Sequence, residues 1–138
     1  MTYGTADGVG ALSALYSDNG SFSVATTPTL AVVNGWLSNV SQLLDTALSD
    51  EGFTVPVTDT DVTGEFALLV EGIVKDLVNY SHNAGRFFTK KYLESGMSPF
   101  MTIDKELHDW VKRKTVGLEN LGLVKTETGR NVASFDLL

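Results

Sequence analysis

The chain has 138 residues, 43% apolar and 20% charged, the size and balance of one ordinary globular domain with enough apolar side chains to build a core unaided. It has no cysteine, which excludes disulfides, thiol nucleophiles and thiolate metal sites together. Its net charge of -7 is unevenly placed: every Lys and Arg lies from Lys75 onward, so the first half, from Asp7 to Glu71, is purely acidic and the remainder mildly basic.

Residues 1–27 are rich in Gly, Ser, Thr and Asp, and read as a flexible N-terminal segment. A short apolar patch at Val9, Leu12, Leu15 and Tyr16 suggests a brief helix, followed by a loop at Ser17-Asp18-Asn19-Gly20. The start has no cationic region and no apolar h-region of a signal peptide, and no apolar run approaches the ~18 residues of a membrane span. The expectation is a protein neither exported by that route nor anchored.

Thr27-Pro28 reads as a helix start, a hydroxyl cap followed by proline at the first helical position. Leu30, Val33, Leu37, Val40, Leu44 and Leu48 then recur at helical spacing, widened by Trp36 and Leu43. Ser49-Asp50-Glu51-Gly52 ends this helix, and Phe53 to Thr58 reads as an extended connector.

A second long helix is expected to begin between Asp59 and Thr63, where carboxylates and hydroxyls suit orphan amides. Its stripe is Phe66, Leu69, Ile73, Leu77, Tyr80 and Ala84, broadened by Val70 and Val74, with Gly64 and Gly72 leaving room for another helix. Two stripes joined by a loop predict an antiparallel pair whose core is Leu37, Val40, Leu44, Phe66, Leu69, Ile73 and Leu77.

Arg86 to Glu94 reads as a short helix broken by Ser95-Gly96-Met97-Ser98-Pro99. A third substantial helix follows, from Pro99 or Thr102 to Leu121, with Ile103, Leu107, Trp110, Val111, Val116 and Leu118 as its apolar set. Residues 122–138 alternate around a Thr128-Gly129-Arg130-Asn131 turn, as a hairpin or an extended arm. The fold class is therefore mainly α: one domain over residues 1–138, a small helical bundle built on two long antiparallel helices plus a third, with a short β-hairpin or C-terminal arm.

Catalytic and metal-binding patterns are missing. His82 and His108 have no His or Glu partner at the spacing of a helical zinc motif. Asp59 to Glu65 briefly resembles a calcium loop but lacks its later ligands and glycine, so helix capping is the better reading. No dinucleotide fingerprint, phosphate loop or nucleophile elbow is present. The reading is a non-enzymatic protein without metal or cofactor that acts through contacts with other proteins.

From Thr27 through Tyr80 the pattern resembles the head-to-tail adaptors, or connectors, of tailed bacteriophages. The join carries it: an amphipathic helix ending Leu44-Asp45-Thr46-Ala47-Leu48 passes through Glu51-Gly52-Phe53-Thr54-Val55-Pro56-Val57 into a second apolar helix. The resemblance covers about half of the chain. It implies a structural virion protein assembled in the host cytoplasm as a ring of about twelve subunits. That ring sits on the portal protein, receives a tail or stopper protein below, and lets DNA pass without specific binding. It transfers no catalytic residue.

A ring needs two unlike surfaces on each subunit. The charge map offers Asp45, Asp50 and Glu71 for one and Arg86, Lys90, Lys112 and Arg113 for the other. In the tail, Val132, Phe135, Leu137 and Leu138 are candidates for contact with the portal or a neighbouring subunit.

The end of the chain supports an alternative. Leu118 to Val124, followed by strand, turn and strand, resembles the close of a winged-helix DNA-binding domain, with the wing at 122–138, Lys125 and Arg130 within it, and Lys112, Arg113 and Lys114 facing phosphate. The acidic balance of the whole chain weighs against it.

Overall fold

The computed structural model describes residues 2–13, 17–83 and 99–125. Among them are four helices: α1 (Ala6–Leu12), α2 (Leu30–Asp50), α3 (Thr60–Asn83) and α4 (Pro99–Asn120). Helix α2 is the central element and packs on the other three, while α1 also lies along α3. Helices α2 and α3 form the expected antiparallel pair in a mainly helical bundle. None of these helices is long and apolar enough to cross a membrane.

Helix α2 is capped by Thr29, whose hydroxyl accepts from Val32 N, so it starts two residues later than expected from Thr27-Pro28. The cause is the preceding turn, which closes on itself. Leu30 N donates to the Ser23 carbonyl at 3.0 Å, and Thr26 Oγ1 lies within hydrogen-bond distance of the Ser23 and Pro28 carbonyls. The helix then buries Val33, Leu37, Val40, Leu44 and Leu48, and leaves Leu30 at the surface.

Helices α2 and α4 end in the same way. Gly52 (φ +92°) donates to the Ser49 carbonyl and Phe53 N to that of Leu48. Gly122 (φ +99°) donates to the Glu119 carbonyl and Leu123 N to that of Leu118. Each is a Schellman exit, in which glycine takes the left-handed conformation that reverses the chain. In each, the next residue, Phe53 or Leu123, is buried. The two exits then meet: Thr54 N donates to the Val124 carbonyl at 2.9 Å, and Phe53 and Lys125 form an antiparallel bridge. The first residues of the expected tail hairpin or arm thus pair with the α2–α3 connector. Residues 126–138 lie outside the described residues, as does the short helix expected at Arg86 to Glu94.

Helix α3 is capped by Asp59, whose carbonyl accepts from Thr63 N and whose carboxylate accepts from Asp61 N, both at 2.9 Å. Its buried stripe is Val62, Phe66, Val70, Val74, Leu77 and Val78. Leu69 and Ile73, expected in the core, are only half-buried at its edge. The helix has to face both α1 and α2, and this turns its innermost line onto Val70 and Val74. Among the described residues, nothing packs beside Gly64 or Gly72.

The larger correction concerns residues 1–27, expected to be flexible. Tyr3, Val9 and Phe22 belong to the core. Thr5 caps α1 by accepting from Gly8 N at 3.0 Å. The close approaches of this chain occur here: a Cβ on Gly8 would collide with the Glu71 carboxylate, and one on Gly10 with the Gly20 carbonyl. In α4, Ile103, Leu107, Val111 and Leu118 are buried, but Val116 is 71% exposed. It follows Val111 by five residues, which at about 100° per residue puts it on the far side of the helix.

Candidate functional site

Helices α3 and α4 converge at one edge, where Phe66 meets Trp110 edge-to-face with ring centroids 6.1 Å apart. Beside that contact the described residues form an open groove lined by Leu69, Ile73 and Trp110 and by Glu106, Asp109 and Arg113. It continues on one side past Leu68 and Gly72 to Leu12 of α1, with Lys75 and Asp76 at the rim. On the other side it runs towards Glu65, Lys114 and Leu121. Leu68 is 70% exposed and Leu12 is also exposed. An apolar floor with a charged rim suits a protein partner.

The N-terminal segment is fastened beside this groove. Tyr3 N donates to Ser41 Oγ at 2.9 Å, and its hydroxyl donates to Asp45 Oδ1 at 2.6 Å while accepting from Val57 N at 3.0 Å. Burial and then the Asp45 carboxylate push the phenol well above its ordinary pKa. The buried Glu71 carboxylate accepts from Thr5 N at 2.8 Å and lies against Gly4 and Gly8. The absence of side chains on these two glycines allows α1 to settle onto α3.

These contacts change the expected subunit interface. Glu71 is not a surface charge, because its carboxylate is enclosed by its own N-terminal segment. Asp45 is half-buried and bound to Tyr3. Asp50 is exposed but bonded to His108 of α4, with Nε2 at 2.7 Å from Oδ2. Lys112 and Arg113 are exposed on α4, and Arg113 reaches the groove. Arg86, Lys90, Val132, Phe135, Leu137 and Leu138 lie outside the described residues. Of the acidic candidates, Glu71 and Asp45 are thus engaged by the N-terminal segment, whereas Asp50 stays exposed beside His108.

No protein-family model, characterised protein or solved structure matches the chain. The site is therefore read from its own geometry. Among the described residues no group of three or more His, Asp or Glu is placed to hold a metal ion. What the side chains do form is the apolar groove, a concave surface suited to contact.

Sequence reasoning placed Leu69, Ile73 and Trp110 on apolar stripes and read Leu69 and Ile73 as core. Stripes show which residues avoid water, and not whether the neighbouring helix closes over them. The buried role of Glu71 had one available signal, the glycines Gly4 and Gly8 on either side of the Thr5 cap, whose missing side chains permit close approach. The bond from His108 to Asp50 spans the fold and had none.

Proposed function

We propose that this chain is a structural virion protein, the subunit of a ring between the portal and the tail of a tailed bacteriophage. In this role it is a head-to-tail adaptor assembled in the host cytoplasm, through which DNA passes without specific binding. The observation that carries the reading is the join between α2 and α3. Gly52 turns the chain, Phe53 and Val57 are buried, and Val57 N is bonded to Tyr3, so the hairpin is locked at the connector that resembles the adaptors. The open α3–α4 groove supports a role in contact with other proteins.

The winged-helix alternative draws less support. Lys125, assigned to the wing, has its ammonium 5.7 Å from the centre of the Phe53 ring, and its backbone bridges the same residue. Lys112, Arg113 and Lys114 share α4 with Glu106, Asp109 and Glu119, so the helix lacks the net positive face that phosphate requires.

The test pairs the chain with the portal protein encoded in the same genome. Electron microscopy is expected to show ring density added at the portal, and titration with duplex DNA to give binding no tighter than about 0.1 mM at moderate salt. Absence of added density, or tight sequence-selective DNA binding, overturns the adaptor role.

A further inference from the structure

The chain holds two Asn-Gly pairs, Asn19-Gly20 and Asn34-Gly35, and both asparagines are exposed. In such a pair the glycine amide nitrogen is a nucleophile for the asparagine side chain, since no Cβ shields it. Among the described residues nothing lies where a Cβ on Gly20 or Gly35 would stand. The reaction joins glycine N to asparagine Cγ and breaks the Cγ–Nδ2 bond, and the side-chain nitrogen leaves as ammonia with the proton of the glycine amide. Water then opens the five-membered succinimide on either side, giving aspartate or isoaspartate. No oxidant, reductant or cofactor takes part.

Backbone conformation decides whether the two atoms meet, because ring closure requires glycine N and asparagine Cβ to lie eclipsed about the Cα–C bond. Asn19 (φ +50°) and Gly20 (φ +83°) are the central pair of a two-residue turn. Asp18 N donates to the Ser21 carbonyl at 2.8 Å and Ser21 N to that of Asp18 at 2.9 Å. Positive φ at both centres makes this a type I′ turn, whose first central residue has ψ of about +30°. Gly20 N then stands nearly opposite Asn19 Cβ, and the closed turn does not react. Asn34-Gly35 lies inside α2, where helical ψ of about −42° also keeps the two atoms out of line. The protecting elements are unequal. A small exposed turn opens locally at far lower cost than a 21-residue helix packed on three others unravels.

We infer that Asn19 is a site of spontaneous modification guarded by its own turn, and that the isoaspartyl product keeps the turn from closing again. Isoaspartate carries the chain through its Cβ, which adds one backbone atom between residues 19 and 20. A two-residue turn with reciprocal bonds has no room for that atom. The change reaches the fold through Gly20, whose carbonyl lies so close to Gly10 of α1 that no Cβ fits between them, and through Phe22, which is buried two residues on. Ser17 Oγ, on the other side of the turn, donates to the Gly10 and Ser13 carbonyls at 3.2 and 3.1 Å. Lengthening the turn lifts Gly20 from Gly10 and loosens the seat of α1. The device runs one way: opening permits conversion, and conversion holds the turn open. It does not depend on the adaptor reading.

The experiment ages the purified full chain at mildly alkaline pH, native and in guanidinium chloride, and follows both asparagines by peptide mapping with mass spectrometry. In guanidinium chloride the two pairs are expected to convert at similar rates. In the native chain Asn19 is expected to convert at least about tenfold more slowly than in denaturant, and Asn34 more slowly still. Aged protein carrying isoaspartate at position 19 is expected to melt below the wild type. Asn19→Asp, with the same added charge and an unaltered backbone, is expected to melt like the wild type, since aspartate also accepts the left-handed conformation. Native conversion at Asn19 as fast as in guanidinium chloride overturns protection by the turn. Native conversion absent at Asn19, or equal or faster at Asn34, overturns the choice of site. An isoaspartyl form that melts like the wild type overturns the one-way device.

Discussion

The imidazole of His108 lies between two acceptors, with Nε2 at 2.7 Å from Asp50 Oδ2 and Nδ1 at 2.9 Å from the Asp104 carbonyl. The ring satisfies both only when both nitrogens carry protons, so the C-terminal turn of α2 is held to α4 through an imidazolium. The bond to Asp50, and then that to Asp104, raises the His108 pKa against the opposing effect of burial. A raised pKa contributes stability that is complete below the ordinary histidine value of about 6.5 and is lost as pH rises through the raised one.

Unfolding in urea should therefore show stability declining as the pH rises above the ordinary histidine value of about 6.5. The loss should be about 1 kcal/mol or less, because Asp50 is 59% exposed and water screens the pair. In Asp50→Asn the slope should flatten and the His108 ring resonances should titrate at lower pH. An unchanged His108 titration in that variant would show that the pair does not hold the two helices together.

Tyr3→Phe should be costly for so small a change. It leaves the buried Val57 amide without its acceptor and the Asp45 carboxylate without its donor, a loss of about 1 to 3 kcal/mol. The raised phenol pKa also means that wild-type stability falls once the pH exceeds about 10, where the unfolded phenol ionises first. Denaturation midpoints at pH 7 measure the first effect. The alkaline limb, compared between wild type and variant, measures the second.

Glycine substitutions should divide by surroundings. Gly10→Ala drives a methyl group into the Gly20 carbonyl, a backbone atom that cannot swing aside, and should destabilise by about 1 to 3 kcal/mol. Gly64→Ala, in the first turns of α3 with open space beside it, should stabilise by about 0.4 to 1 kcal/mol. Thermal melts of the two variants should move in opposite directions.

Leu44→Ala should cost about 2 to 5 kcal/mol, since Leu44 is completely buried. Ile73→Ala should cost clearly less, because its side chain already borders the open groove. Equal losses in the two variants would mean that the groove is closed in solution.

How much of this is legible in the residues alone depends on the range of the forces involved. The stripe that ends at Leu48, the stop at Ser49 to Gly52 and a helix start within Asp59 to Thr63 are local matters of periodicity, left-handed glycine and orphan amides, and the sequence by itself determined them, though it also put the exposed Leu30 on the stripe. The mainly helical bundle and its antiparallel pair follow from the same signals. Tertiary structure decided which edge of each stripe faces inward. Val70 and Val74 displaced Leu69 and Ile73 because α1 occupies the remaining side of α3, and α1 is held there by Tyr3 and Glu71 across long separations in sequence. It also decided that Asp45, Asp50 and Glu71 serve intrachain bonds, since composition records a charge but not its partner. The groove belongs wholly to this level: it is lined by residues of both α3 and α4 beside the Phe66–Trp110 contact, a matter of how two helices pack that no single helix encodes.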